Sequence, residues 1–228
     1  VNRAGDDAAG LAISEKMRAQ ITGLDAATKN VKDGISMVKT AEGAMQEIHD
    51  MLNRMAYLAT QSANGTYDNA VDRANLQSEV TALGSEIDRI AANSNFNGTK
   101  LLDGTLNATL QIGDTAAETI SVQVANMNMA TLFTTAPDIS SLSGANTAIT
   151  SIKTAINTVS TQRGNLGAVQ NRLEHTQNNL SVMRENIQDA ESTIRDTDVA
   201  EEMMSYTKNN ILIQSAQAML AQANQVPQ

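Results

Sequence analysis

The chain contains no cysteine, no tryptophan and only two prolines, Pro137 and Pro227. Without cysteine there is no disulfide framework, no thiol catalysis and no thiolate metal site. Tyr57, Tyr67, Phe96, Phe133 and Tyr206 are the only phenyl rings in 228 residues. The interior must therefore be aliphatic, methionine and alanine, which suits thin helix seams better than a thick globular core. No apolar run approaches the roughly 20 residues needed to cross a bilayer, so the chain reads as soluble, with no membrane partner. No basic stripe follows a phosphate backbone, so nucleic acid is not expected as a partner either.

Reactive chemistry is equally sparse. His49 and His175 are the only histidines, neither has a second His or a Cys at ligand spacing, and both read as solvent-facing helix positions rather than metal ligands. Gly164-Asn165-Leu166-Gly167 lacks the preceding strand and third glycine of a dinucleotide loop and reads as a local packing feature. Asn64-Gly65-Thr66, Asn97-Gly98-Thr99, Asn107-Ala108-Thr109 and Asn179-Leu180-Ser181 match the glycosylation sequon and read as turn or surface chemistry. Asp6-Asp7, the one tight carboxylate pair near a loop, reads as a cap on the first helix. No base, nucleophile and oxyanion donor can be assembled, so neither an enzyme nor a cofactor is expected.

What the chain does have is heptads. Met17, Leu24, Val31, Val38, Met45, Leu52 and Ala59 recur every seven residues, flanked first at +4 (Ile21, Ile35) and then at +3 (Ala41, Ile48, Met55). That drift arises when a 3.6-residue helix carries a seven-residue pattern. Ile152, Val159, Leu166, Leu173, Leu180, Ile187 and Ile194 form a second series. Residues 8–63 hold six acids and six bases, and 149–196 five of each. The net charge of −9 therefore falls outside the two long helical segments. Between them, Val71, Leu76, Val80, Leu83, Ile87 and Ile90 predict a shorter amphipathic helix over about 68–92. Alternation at Leu110, Ile112, Ile120, Val122 and Val124 around Gly113-Asp114 predicts a hairpin at about 108–125. The predicted fold is mainly α: an elongated, rod-like bundle of two long helices and one shorter helix, with a small β-hairpin at one end. The organisation runs as an N-terminal core over 1–128, a connector over 129–147, a helix over 148–196 and an apolar segment over 197–228 with nowhere of its own to bury that face.

The motifs themselves point to a family. NRAGDDAAGLAISEKMRAQ, DGISMVKTAEGAMQEIHDML and NFNGTKLLDG followed by LQIG resemble the N-terminal core of bacterial flagellin. RGNLGAVQNRLEHTQNNL, ENIQDAESTIRDTDVAEEM and LAQANQVPQ resemble its C-terminal core. The resemblance implies a rod that stacks with other flagellin subunits into a hollow filament, a secreted, extracellular location on the bacterial flagellum, and export with flagellar chaperones as partners. It further implies that 197–228 begins an innermost coiled coil, that a helix preceding Val1 and the last apolar residues are missing, and that such a piece polymerises poorly. Outer domains between hairpin and final helix are nearly absent by the same comparison. Toll-like receptor 5 is an implied partner: Arg54, Leu58 and Glu79 match the family's receptor-contacting residues around LNRMAYLATQSANGT, while Ala56-Tyr57 departs from the polar residues usual there. A hook–filament junction protein and a secreted adhesin or receptor ligand are the competing expectations.

Overall fold

The computed structural model describes Gly5 and residues 7–224; Asp6 and Pro227 lie outside the described residues. The fold is mainly α with a small antiparallel hairpin. Helix α1 (Ala8–Ser62) is followed by a π-helical turn (Asn69–Arg73) that runs into α2 (Ala74–Asn93). Strands β1 (Asn95–Phe96), β2 (Thr99–Lys100), β3 (Asn107–Gln111) and β4 (Thr119–Gln123) come next, then a single turn α3 (Met129–Leu132), α4 (Leu142–Arg195) and α5 (Val199–Ala223). The chain forms two compact units, Thr22–Arg184 and a second made from Val1–Ile21 with Glu185–Gln228.

In the larger unit the heptad positions meet. Leu24, Val31, Val38, Met45 and Leu52 of α1 and Ile152, Val159, Leu166, Leu173 and Leu180 of α4 are all buried. Asp25 reaches Arg184 at 3.5 Å and Glu42 reaches Arg163 at 2.6 Å. Partners thus advance along one helix as they recede along the other, so the pair is antiparallel. Each seam side chain contributes about 1.5–3 kcal/mol by leaving water. The α1 row three residues past the seam (Ala27, Ala41, Ile48, Met55) is buried as well, and α2 turns Val80, Gly84, Ile87 and Ala91 inward.

The hairpin covers α1 at another level. Residues from Asn107↔Gln123 to Gln111↔Thr119 pair in antiparallel register, the Asn30 amide donates to the Gln111 carbonyl at 3.2 Å, and a Cβ on Gly34 would come within 2.5 Å of Leu110 Cδ1. Glycine at 34 is what lets Leu110 lie on the helix. A second, smaller hairpin was not expected: β1 and β2 join through Asn97 (φ 49°) and Gly98 (φ 81°), the pair of left-handed residues that a type I′ turn requires.

The connector is more ordered than its composition suggests. Asn128 caps α3 by accepting from the Thr131 N–H at 2.9 Å, and the Met129 N–H donates to Asp88 at 2.8 Å. Leu132, Phe133 and Ile139 are buried. Helix α4 begins at Leu142 rather than near Ala148, because the Ser141 hydroxyl accepts from the Gly144 N–H at 3.1 Å and its carbonyl from the Ala145 N–H at 2.8 Å. This N-terminal cap extends the helix upstream of its apolar repeat.

The smaller unit holds the start of α1, the end of α4 and α5. Helix α1 opens on Asp7, whose carboxylate accepts from the Ala9 N–H at 3.1 Å. Arg195 pairs with Glu15 at 3.2 Å, Ser14 is fully buried, and Met17, Ile187 and Ile194 are half-buried. Asp198 caps α5 through the N–H groups of Ala200 and Glu201. No α5 residue is buried; Met203, Met204, Ile211, Leu212, Ile213, Met219 and Leu220 are all more than half exposed.

Candidate functional site

Two side chains from different helices form an exposed ion pair on the surface of the larger unit. Arg54 on α1 donates from Nε to Glu79 Oε1 on α2 at 2.6 Å. Its guanidinium lies 5.3 Å from the centroid of the Tyr57 ring, within cation–π range, and Tyr57 is 61% exposed. The hydrogen bond that Arg54 donates to Glu79 holds the Arg54 pKa above its ordinary value. The arrangement is a fixed charge and an aromatic ring side by side on rigid helices, which suits recognition. Leu58 does not join it. At 1% exposure it lies inside the bundle, one turn past buried Met55 on the same inward face.

The α1–α2 turn that fixes this patch rests on a residue sequence reasoning missed. Arg73 is 4% exposed and has no carboxylate partner. It donates to the carbonyls of Ser62 (2.8 Å), Asn64 (2.8 Å) and Tyr67 (2.5 Å) and to Asn69 Oδ1 (2.6 Å). A cation is well placed at the end of α1, where carbonyls lack helical partners. Ser62 continues the network by donating to the Ile139 carbonyl at 2.6 Å, and the Ile139 N–H donates to Gln77 Oε1 at 2.6 Å. The connector is thereby tied to both α1 and α2. The usable signal was Arg73 placed just past an Asn-Gly helix stop.

Other sequence readings change. His49 is half-buried rather than solvent-facing, and its Nδ1 is enclosed with no hydrogen-bond partner; His175 is exposed. Gly164 and Gly167 are helical residues at which an added Cβ would point into open space among the described residues. Among the described residues no cluster of three or more His, Asp or Glu could hold a metal ion, and no helix is long and apolar enough to cross a membrane.

Buried heptad seams and a helix α5 whose apolar residues are exposed define a helical structural protein. The profile of the bacterial flagellin N-terminal helical region matches residues 1–107 and that of the bacterial flagellin C-terminal helical region matches 149–228. The chain is similar to a flagellin of Halalkalibacterium halodurans, 52% identical over 231 residues, covering 100% of this chain and 85% of the relative. It is also similar to the flagellar filament 30.7 kDa core protein of Treponema maltophilum, 43% identical over 240 residues, covering 98% and 84% of the two chains. The crystal structure of Bacillus cereus flagellin aligns with a TM-score of 0.60 at 34% identity, covering 67% of this chain and 88% of that one. The chain belongs to the bacterial flagellin family.

Proposed function

We propose that the chain is a structural subunit of the bacterial flagellar filament, secreted and built into a polymer of its own copies. The match of both terminal helical regions to flagellin carries this reading, and the relative from Treponema maltophilum is a filament core protein. The seam supplies a stiff subunit, and the outward apolar residues of α5 need burial that only an assembly partner or an export chaperone supplies. The test is incorporation of the labelled chain into filaments grown from flagellar seeds; failure of the folded chain to enter them would count against it.

A receptor role is the second reading. Exposed Arg54 and Glu79, held together across two helices, support recognition by Toll-like receptor 5, with Leu58 beneath them and Tyr57 standing where the family carries polar residues. Surface plasmon resonance of the monomer on the receptor ectodomain tests this reading. An Arg54→Ala chain should bind markedly more weakly, and unchanged affinity would remove Arg54 from the site.

A further inference from the structure

We infer that Asn64-Gly65 is a self-modifying site: the fold promotes loss of ammonia from Asn64, and Arg73 steers the product to isoaspartate. The inference goes beyond the filament-subunit reading and does not depend on it.

The chain carries its own control. Asn64-Gly65-Thr66 and Asn97-Gly98-Thr99 are the same tripeptide, and both are exposed. In each, glycine leaves no Cβ to shield the peptide nitrogen that must attack the asparagine carboxamide. Their surroundings differ. Asn97 (φ 49°) and Gly98 (φ 81°) are held in a turn between paired strands, and no side-chain donor reaches Asn97 among the described residues. Asn64 stands just past α1, where its reacting groups already have partners. Its main-chain carbonyl accepts from Arg73 Nη2 at 2.8 Å and from the Tyr67 N–H at 3.3 Å. Its side-chain Oδ1 accepts from the Thr66 N–H at 3.3 Å. The Gly65 N–H donates to no group among the described residues.

These contacts favour each step. A guanidinium on the carbonyl oxygen draws electron density from the Asn64-Gly65 peptide, so the Gly65 N–H gives up its proton to hydroxide more readily. The nitrogen then attacks Asn64 Cγ, and negative charge develops on Oδ1, where the Thr66 N–H is already placed. The bond between Gly65 N and Cγ forms, the Cγ–Nδ2 bond breaks, and Nδ2 leaves as ammonia with a proton from water. The succinimide left behind is opened by water. Attack at Cγ gives aspartate. Attack at the former main-chain carbonyl carbon gives isoaspartate, and the free carboxylate then lies at the atom that Arg73 already holds. Arg73 is 4% exposed and otherwise bonded to neutral acceptors, so a carboxylate at that atom gains a charge-assisted hydrogen bond. The product also runs the main chain through Asn64 Cβ, which lengthens the α1–α2 turn by one methylene.

The test is peptide mapping by mass spectrometry after incubation in mildly alkaline buffer, with the chain folded and with it in urea. In the folded chain Asn64 should convert about tenfold faster than Asn97, equivalent to about 1.4 kcal/mol of barrier, and isoaspartate should dominate at residue 64. In urea the identical tripeptides should convert at similar rates, and the isoaspartate share at residue 64 should fall. Arg73→Met should bring Asn64 to the Asn97 rate, whereas Arg73→Lys keeps the cation and should retain most of the excess, each variant being shown folded by circular dichroism. Equal rates at the two sites of the folded chain, an excess at Asn64 that persists in urea, or equal rates in the two folded variants would each overturn the inference. Should a variant not fold, the comparison of folded and urea-treated native chain still decides it.

Discussion

At the scale of single residues, charge placement separates groups that hold the fold from groups that present a surface. Arg73 is buried and bonded only to neutral acceptors, so Arg73→Met should strand several carbonyls and lower stability by about 2–4 kcal/mol in urea titrations. A loss below about 0.5 kcal/mol, the usual range for surface changes, would show that water replaces the guanidinium. Arg54, bonded to Glu79 with both side chains well exposed, behaves oppositely. Arg54→Ala should leave the denaturation midpoint nearly unchanged while weakening receptor binding. Asp138 gives a pH signature. Hydrogen bonds from the Ser140 hydroxyl and N–H hold its carboxyl below the ordinary range. A folded-state pKa below the unfolded one stabilises above the ordinary carboxylate range, and that stability is lost as pH falls through the depressed value. Asp138 is largely exposed, so Asp138→Asn should remove only a shallow part of the acid-induced loss, under about 1 kcal/mol.

At the scale of elements, the seam makes the sharpest prediction. Leu173 is fully buried between the long helices, and Leu173→Asp places an unpaired carboxylate there, which should cost more than about 4 kcal/mol. Circular dichroism with an unchanged melting curve would refute the packing. Gly104 has φ +83°, and a Cβ there would lie 2.9 Å from Asn126 Cβ and 3.1 Å from its backbone nitrogen. Gly104→Ala should therefore cost about 1–3 kcal/mol, read in the same denaturation experiment. The two long helices were legible because their burial repeats every seven residues over many turns, a signal that local chemistry cannot erase. The main hairpin was legible from alternation. The β1–β2 hairpin was not, since two-residue strands carry no period, although Asn97-Gly98 named its turn. Helix α3 and the start of α4 depend on single capping side chains, Asn128 and Ser141, within a stretch whose Ser, Thr and Ala content reads as linker. The burial of Leu58 was not legible, because matching a motif says which residues recur, not which way they face; it lies one turn past Met55 on the same inward face.

At the scale of the whole molecule, intrachain packing and assembly divide between different residues. The seam buries its heptad positions on both long helices, whereas the apolar residues of α5 are exposed among the described residues. Such unused surface is expected of a subunit whose final environment is its own copies. The most direct measurement is electron microscopy of filaments grown from this protein, at a resolution that shows side chains. The account predicts a helical polymer in which α1 and α4 keep their antiparallel pairing with Leu173 inside and α5 is buried. A polymer in which α1 and α4 have separated to pair with other chains, or in which α5 remains bare, would contradict it.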